Sequence, residues 1–239
     1  MRCQVPPGPG ADWDNRCCRR CQSVPLLGIA PVIEAEGFLE MNGAKIKLVG
    51  IGGSLRKASC NSGLLRAGLE YASTLSDIDA VRADYSKVPL YNADLEVKEG
   101  DVIKYPPEVE DFRAMVASAD AFLFAFPEYN YSMPGVLKNA IDWASRPPNC
   151  FGDRPAAIIG AGGALGAAHS AYHFRQSGVF LDLHFINKPE LFVRIFSKPS
   201  PFDDDGNLID GQTIVRVHRV VDALRDFTYR LKGLPKPEQ

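Results

Sequence analysis

Ile46-Lys47-Leu48-Val49-Gly50-Ile51-Gly52-Gly53-Ser54-Leu55-Arg56-Lys57-Ala58-Ser59-Cys60-Asn61-Ser62 is the stretch on which the fold turns. Ile46 to Ile51 is a short apolar run that stops at two glycines, the pattern of a strand buried on both faces of a parallel sheet. A polar turn follows from Ser54 to Cys60. Asn61 or Ser62 then stands where it can cap a helix whose apolar residues, Leu64, Leu65, Leu69, Tyr71, Ala72 and Leu75, recur near helical spacing. Strand, polar turn and helix in this order make one unit of an α/β fold.

Downstream the unit recurs. A weaker strand is expected near Ala80 to Ala83, a helix from about Pro107 to Ser118, and a clear strand at Ala121 to Phe126. A helix follows from Pro134 or Gly135 to Ala144, with proline well placed in its first turn. Then come a strand at Ala156 to Ile159, a glycine-rich loop with a helix through Ser177, a fifth strand near Leu181 to Ile186, and a last helix from about Gly211 to Leu231. Right-handed crossovers constrain such a chain to a doubly wound parallel sheet in three αβα layers, and five strands suit the flavodoxin-like order 2-1-3-4-5.

Composition agrees with one domain over residues 45–239. The chain has 239 residues, 46% hydrophobic and 23% charged, enough for a sizeable core. Its 27 Lys plus Arg against 29 Asp plus Glu give no electrostatic reason to expect nucleic acid or an anionic membrane as partner. The longest candidate for a membrane span, Val24 to Ile33, is broken by Pro25 and Pro31. Residues 1–44 read as a disordered leader rather than a signal or transit peptide, because Asp12, Asp14, Glu34, Glu36 and Glu40 interrupt it, and a cytoplasmic location is expected. Cys18-Arg-Arg-Cys21 has the spacing of a zinc or redox pair but has no second pair, so no metal site is expected. Met41 stands directly before the first strand and is a candidate start of translation.

In doubly wound sheets ligands bind at the carboxyl ends of the strands, beside the switch point. Attention therefore goes to the loops after strands one, three and four. Ser54 to Asn61 brings hydroxyls, an amide and a guanidinium onto a turn that opens a helix, which makes a cradle for phosphate without a metal. It lacks the Gly-Lys-Ser/Thr of a triphosphate loop, so a terminal monophosphate fits better. Pro127-Glu128-Tyr129-Asn130-Tyr131-Ser132-Met133-Pro134-Gly135 would wall a flat ring, with Asn130 and turn backbone for a heterocycle edge and aromatic area for stacking. Gly160 to Gly166 lets backbone approach a ligand closely, yet its glycine spacing does not match the dinucleotide fingerprint.

The first two motifs, with Leu137-Lys138-Asn139-Ala140-Ile141-Asp142-Trp143, Tyr172 to Gln176, Phe180 to Asp182 and Asn187 to Glu190, resemble the NADPH-dependent FMN reductase family, and more closely its NAD(P)H:quinone reductase branch. The likeness runs over roughly residues 45–231. It implies FMN as cofactor, NADPH or NADH as electron donor and a quinone as acceptor in ping-pong exchange, and a homotetramer or homodimer. Carried over by position, it puts the FMN phosphate on Ser54, Arg56, Ser59 and Asn61 with the backbone of Leu55, Lys57, Ala58 and Cys60. The isoalloxazine falls against Pro127, Glu128, Tyr129 and Asn130, with the Gly162–Gly163 turn near its pyrimidine edge. No side chain is assigned a proton transfer. Two departures stand out: Cys60 where the family often has Phe, and His169 where Arg is common near the flavin mouth and subunit edge. The readings to set against the enzyme are an FMN electron carrier that does not oxidise NAD(P)H and a sensor with an empty site.

Overall fold

The computed structural model describes residues 45–236, so the expected leader, the Cys18–Cys21 pair and Met41 lie outside the described residues. The elements are β1 (Ile46–Gly52), α1 (Cys60–Thr74), β2 (Ile78–Arg82), β3 (Val97–Glu99), β4 (Val102–Lys104), α2 (Pro107–Ala117), β5 (Ala121–Ala125), α3 (Gly135–Ala144), β6 (Arg154–Gly162), α4 (Ala168–Leu181), β7 (Leu183–Phe185), β8 (Leu191–Arg194) and α5 (Gly211–Lys232). The main sheet runs β2-β1-β5-β6-β7 with every pairing parallel, and β8 joins it on β6.

Strict alternation along the central strands divides two cores between the faces of the sheet. Phe122, Phe124 and Phe126 point to one side with Val49, Ile51, Ala156 and Ile158, where they meet residues of α2, α3 and α4. Leu123, Ala125, Ile46, Leu48, Ala157 and Ile159 point to the other and meet α1 and α5. Runs that are apolar at nearly every position thus feed two helical layers, the arrangement such strands require.

Two expectations need correction. The main sheet has six strands rather than five, since β7 pairs with Arg154–Ala156 at the start of β6 while β8 pairs with Ile159–Gly162 at its end. One edge position is therefore filled by two short strands. Leu191–Arg194 gives only four residues of strand signal, in a tract punctuated by Pro189 and Pro199. The helix boundary also moves: Ser59, not Asn61 or Ser62, is the N-cap of α1, its hydroxyl accepting the Ser62 N–H at 3.4 Å. Lesser shifts extend α4 to Leu181, which confines β7 to Leu183–Phe185, and add the exposed antiparallel pair β3–β4.

Candidate functional site

The loops after β1, β5 and β6 leave one edge of the sheet side by side. The Gly53 N–H donates to the Ala125 carbonyl at 2.8 Å and the Phe126 N–H to that of Ile159 at 3.3 Å, so the exit points are bonded neighbours. A Cβ on Gly53 would lie 2.2 Å from Cβ of Phe126, which shows how closely the first two loops start.

In the first loop, Leu55, Arg56 and Lys57 are exposed and Ser54, Ala58 and Cys60 are half-buried. The Ser54 hydroxyl oxygen accepts the Arg56 N–H at 3.3 Å, leaving its own proton free to donate. At the start of α1, Gly63 N–H is taken by the Ser59 carbonyl and Ser62 N–H by the Ser59 hydroxyl. The amides of Cys60 and Asn61 have no such partner among the described residues, as expected of a first turn, and they carry the positive end of a 15-residue helix.

Asn61 does something the sequence did not reveal. Its side chain is buried, with Nδ2 donating to the Ala161 carbonyl at 2.9 Å and Oδ1 accepting the Ala161 N–H at 2.7 Å. Ile159 faces β5 with its backbone groups, and Ala161, two residues on, faces the same way after β5 has ended. The carboxamide of Asn61 thus continues the ladder in place of a missing strand and ties the first loop to the third. Its side chain is committed to that clamp, and only its backbone amide remains available to an anion.

Pro127 is buried, Glu128 is half-buried, and Tyr129 and Asn130 are exposed. Tyr129 and Ser132 exchange both backbone hydrogen bonds, at 3.1 and 2.9 Å, across a turn in which Asn130 and Tyr131 have φ of 53° and 59°. Two positive φ angles define a type I′ turn; asparagine tolerates that region, whereas a tyrosine there stores about 1 kcal/mol or more of strain. Glu128 anchors this turn. Its carboxylate accepts the N–H of His169 at 2.8 Å and of Ser170 at 3.3 Å, and lies 3.1 Å from His169 Nδ1. Helix α4 begins after Ala167 with no side-chain cap of its own, so Glu128 caps it from a distance. His169 also meets the edge of Tyr131 at 4.6 Å, and His173 Nδ1 sits 3.1 Å from Ser132 Oγ. We expect Glu128→Ala to cost about 1–2 kcal/mol in urea unfolding and Glu128→Gln clearly less, because the amide oxygen still accepts the helix N–H groups.

The third loop is shorter than the glycine run suggests. Gly160, Ala161 and Gly162 belong to β6, paired to Phe192, Val193 and Arg194 of β8, and the turn begins at Gly163. Packing explains several glycines: a Cβ on Gly160 would meet Ala167 Cβ at 2.8 Å, and one on Gly166, where φ is +60°, would meet the backbone of Phe192 at 2.7 Å. Gly162 is buried and Gly163 half-buried, the latter with only Phe196 near its absent Cβ, at 3.9 Å.

A fourth segment, after β2, adjoins this edge. Tyr85 is buried and its hydroxyl donates a short hydrogen bond to the Gly52 carbonyl, while burial pushes its pKa up to about 12. Arg82 and Asp84 stand beside it. Two charged residues where the chain leaves the second strand at this same edge of the sheet are the signal the sequence carries for it.

Three comparisons bear on this edge. The model of the NADPH-dependent FMN reductase family matches residues 46–198, a span that holds all three loops. The chain belongs to the NADPH-dependent FMN reductase family. Its similarity to individual members covers most of the chain: an NAD(P)H:quinone oxidoreductase of Solanum tuberosum is 52% identical over 189 residues, 79% of this chain and 95% of the relative. An NAD(P)H-dependent FMN reductase of Pseudomonas aeruginosa is 47% identical over 190 residues, 79% and 98% of the two chains. Among solved structures, the flavoenzyme NAD(P)H:(acceptor) oxidoreductase FerB of Paracoccus denitrificans superposes with a TM-score of 0.64 at 29% identity, covering 77% of this chain and 98% of that one.

The residues present fit the family's cofactor. Unpartnered first-turn amides, a free hydroxyl proton on Ser54 and the exposed guanidinium of Arg56 form a donor set for a phosphate monoester. The exposed rings of Tyr129 and Tyr131 offer apolar area across the same edge.

Proposed function

We propose that this chain is an FMN-dependent NAD(P)H:quinone oxidoreductase whose FMN lies across the carboxyl edge of β1, β5 and β6. The observation that carries this reading is the Asn61 clamp, which holds an anion cradle at fixed register to the turn before α4. In this reading the phosphate rests on the amides of Cys60 and Asn61, with Ser54, Arg56, Ser59 and the adjoining backbone of Leu55, Lys57 and Ala58. The ring lies against Pro127, Glu128, Tyr129 and Asn130, with Gly162 and Gly163 at its pyrimidine edge. With the split edge of β7 and β8 taken as one position, the sheet has the flavodoxin-like order 2-1-3-4-5.

Bound FMN supplies hydride acceptance from NAD(P)H and two-electron delivery to a quinone. The chain's own residues bind and position. Glu128 is held by two backbone amides and His169, so its task is to fix the ring-side turn rather than to move a proton. The exposed faces of Tyr129 and Tyr131 offer flat substrates one surface to share in turn, which supports a ping-pong exchange in this reading. The reading includes a homo-oligomer, supported by α4, where Tyr172, Val179 and Phe180 expose apolar surface, the last two at 83% and 84%, on the helix that carries His169.

Two measurements test the reading. Anaerobic NADPH should bleach the FMN absorbance of the loaded protein, and a quinone should restore it; FMN that NADPH leaves oxidised would make the protein a carrier instead. Arg56→Ala should weaken FMN binding about tenfold in a fluorescence titration while the fold stays intact, since a charged hydrogen bond to phosphate is lost. An unchanged affinity would remove Arg56 from the cradle.

A further inference from the structure

Beside the first loop, between the carboxyl ends of β1 and β2, lies a crevice of about 340 Å³ lined in part by Ser54, Arg82, Asp84, Tyr85 and Ser86. Its walls are fixed by the fold. Gly50 and Arg82 are register partners, the Ala83 N–H donates to the Gly50 carbonyl at 2.9 Å, and the Tyr85 hydroxyl bonds the Gly52 carbonyl. Ser54 belongs both to the crevice and to the loop of the anion cradle, so the two sites share a wall.

The chemistry of the crevice follows from the end of β2. In dinucleotide-binding sheets the residue just beyond the second strand reads the ribose, a carboxylate taking a free 2′-hydroxyl and an arginine accommodating a 2′-phosphate. Here the first loop is given to FMN, whose ribityl chain has no such ribose, so these groups are left to the second nucleotide, the electron donor. Both kinds of side chain occur here, and hydrogen bonding separates their roles. Asp84 is turned back on its own loop, with Oδ1 accepting the Ser86 N–H at 2.8 Å, and its carboxyl is held below the usual range by its bonds to Ser86. Arg82 is exposed and makes one long hydrogen bond, Nη2 to Ser62 Oγ at 3.4 Å, with no ion pair among the described residues. Its remaining donors are free to take an anion. The volume is at the small end of ligand pockets and suits a phosphorylated ribose rather than a whole dinucleotide.

We infer that this crevice receives the 2′-phosphorylated ribose of NADPH, and that Arg82 is the residue that distinguishes NADPH from NADH while Asp84 opposes it. The inference rests on the reading of the neighbouring edge as the FMN site.

The test uses the FMN-loaded protein with Arg82→Gln and Asp84→Asn, measuring kcat/KM for NADPH and for NADH, and calorimetric binding of adenosine 2′,5′-bisphosphate. The ratio of NADPH to NADH efficiency should fall about tenfold in Arg82→Gln, the loss of one charged contact, and rise several-fold in Asp84→Asn. Binding of the bisphosphate should move in the same two directions. A merely structural role would not shift the two variants oppositely. A ratio unchanged in both variants, or a parent that does not bind the bisphosphate, overturns the inference. FMN retention falling in step in Arg82→Gln would place Arg82 in the FMN cradle and also overturn it. If the parent binds the bisphosphate through Arg82 yet neither nicotinamide bleaches its FMN, the crevice stands and the oxidoreductase reading fails.

Discussion

Asn61→Ala is expected to lose about 3 kcal/mol of stability and most of its FMN affinity together. The substitution leaves the N–H and carbonyl of buried Ala161 without partners, at about 1–3 kcal/mol for each unsatisfied group. It also frees the first turn of α1 from the end of β6, so the amides of Cys60 and Asn61 no longer stand at fixed register to the turn at Gly163. Asn61→Asp makes the stricter comparison. An aspartate still accepts the Ala161 N–H but cannot donate to the Ala161 carbonyl, and it adds negative charge beneath the anion cradle. It should fail in FMN binding at least as badly as alanine. Urea unfolding and FMN fluorescence titration measure the two losses; stability within about 0.5 kcal/mol of the parent would mean that the clamp contributes little.

Gly63→Ala is the second large effect. A Cβ at this position, inside the first turn of α1, would lie 2.0 Å from the carbonyl oxygen of Gly206, which is backbone and has no rotamer by which to yield. Gly206 itself has φ of +76°, and a Cβ there would lie 2.7 Å from the backbone of Ala58, so helix, anion loop and the 203–207 turn are packed too closely for a side chain between them. Overpacking of this kind costs about 1–3 kcal/mol and more where nothing can move. We expect about 3 kcal/mol in chemical denaturation, with FMN affinity reduced because the shift is transmitted directly to Ala58. Gly135→Ala provides the control: nothing lies within 4 Å of its absent Cβ, and its stability should match or exceed that of the parent.

The same contrasts separate what is legible in the sequence from what is not. The unit of β1 and α1 was legible because Ile46 to Ile51 is apolar at nearly every position and the helix carries its leucines at helical spacing. Strand β5 was legible for the same reason. Strand β8 was not: four residues between prolines carry little periodic signal, and their pairing depends on how β6 ends. The end of β6 reads as loop because glycines there look like a turn, whereas close packing against Ala167 is what excludes a side chain at Gly160. At the site, residue types pointed to loops that the fold brings to one edge of the sheet, but not to their bonding. An asparagine beside a phosphate cradle can serve the ligand or the backbone equally well, and only the early end of β5 commits Asn61 to Ala161. Glu128 is similar, since its role depends on α4 beginning without a cap of its own.

The most direct test of the whole account is a crystal structure of the protein loaded with FMN. The phosphate should lie within hydrogen-bond distance of the Cys60 and Asn61 amides, with the ring between the Pro127–Asn130 loop and Gly162–Gly163. A phosphate bound anywhere other than the start of α1 would contradict it.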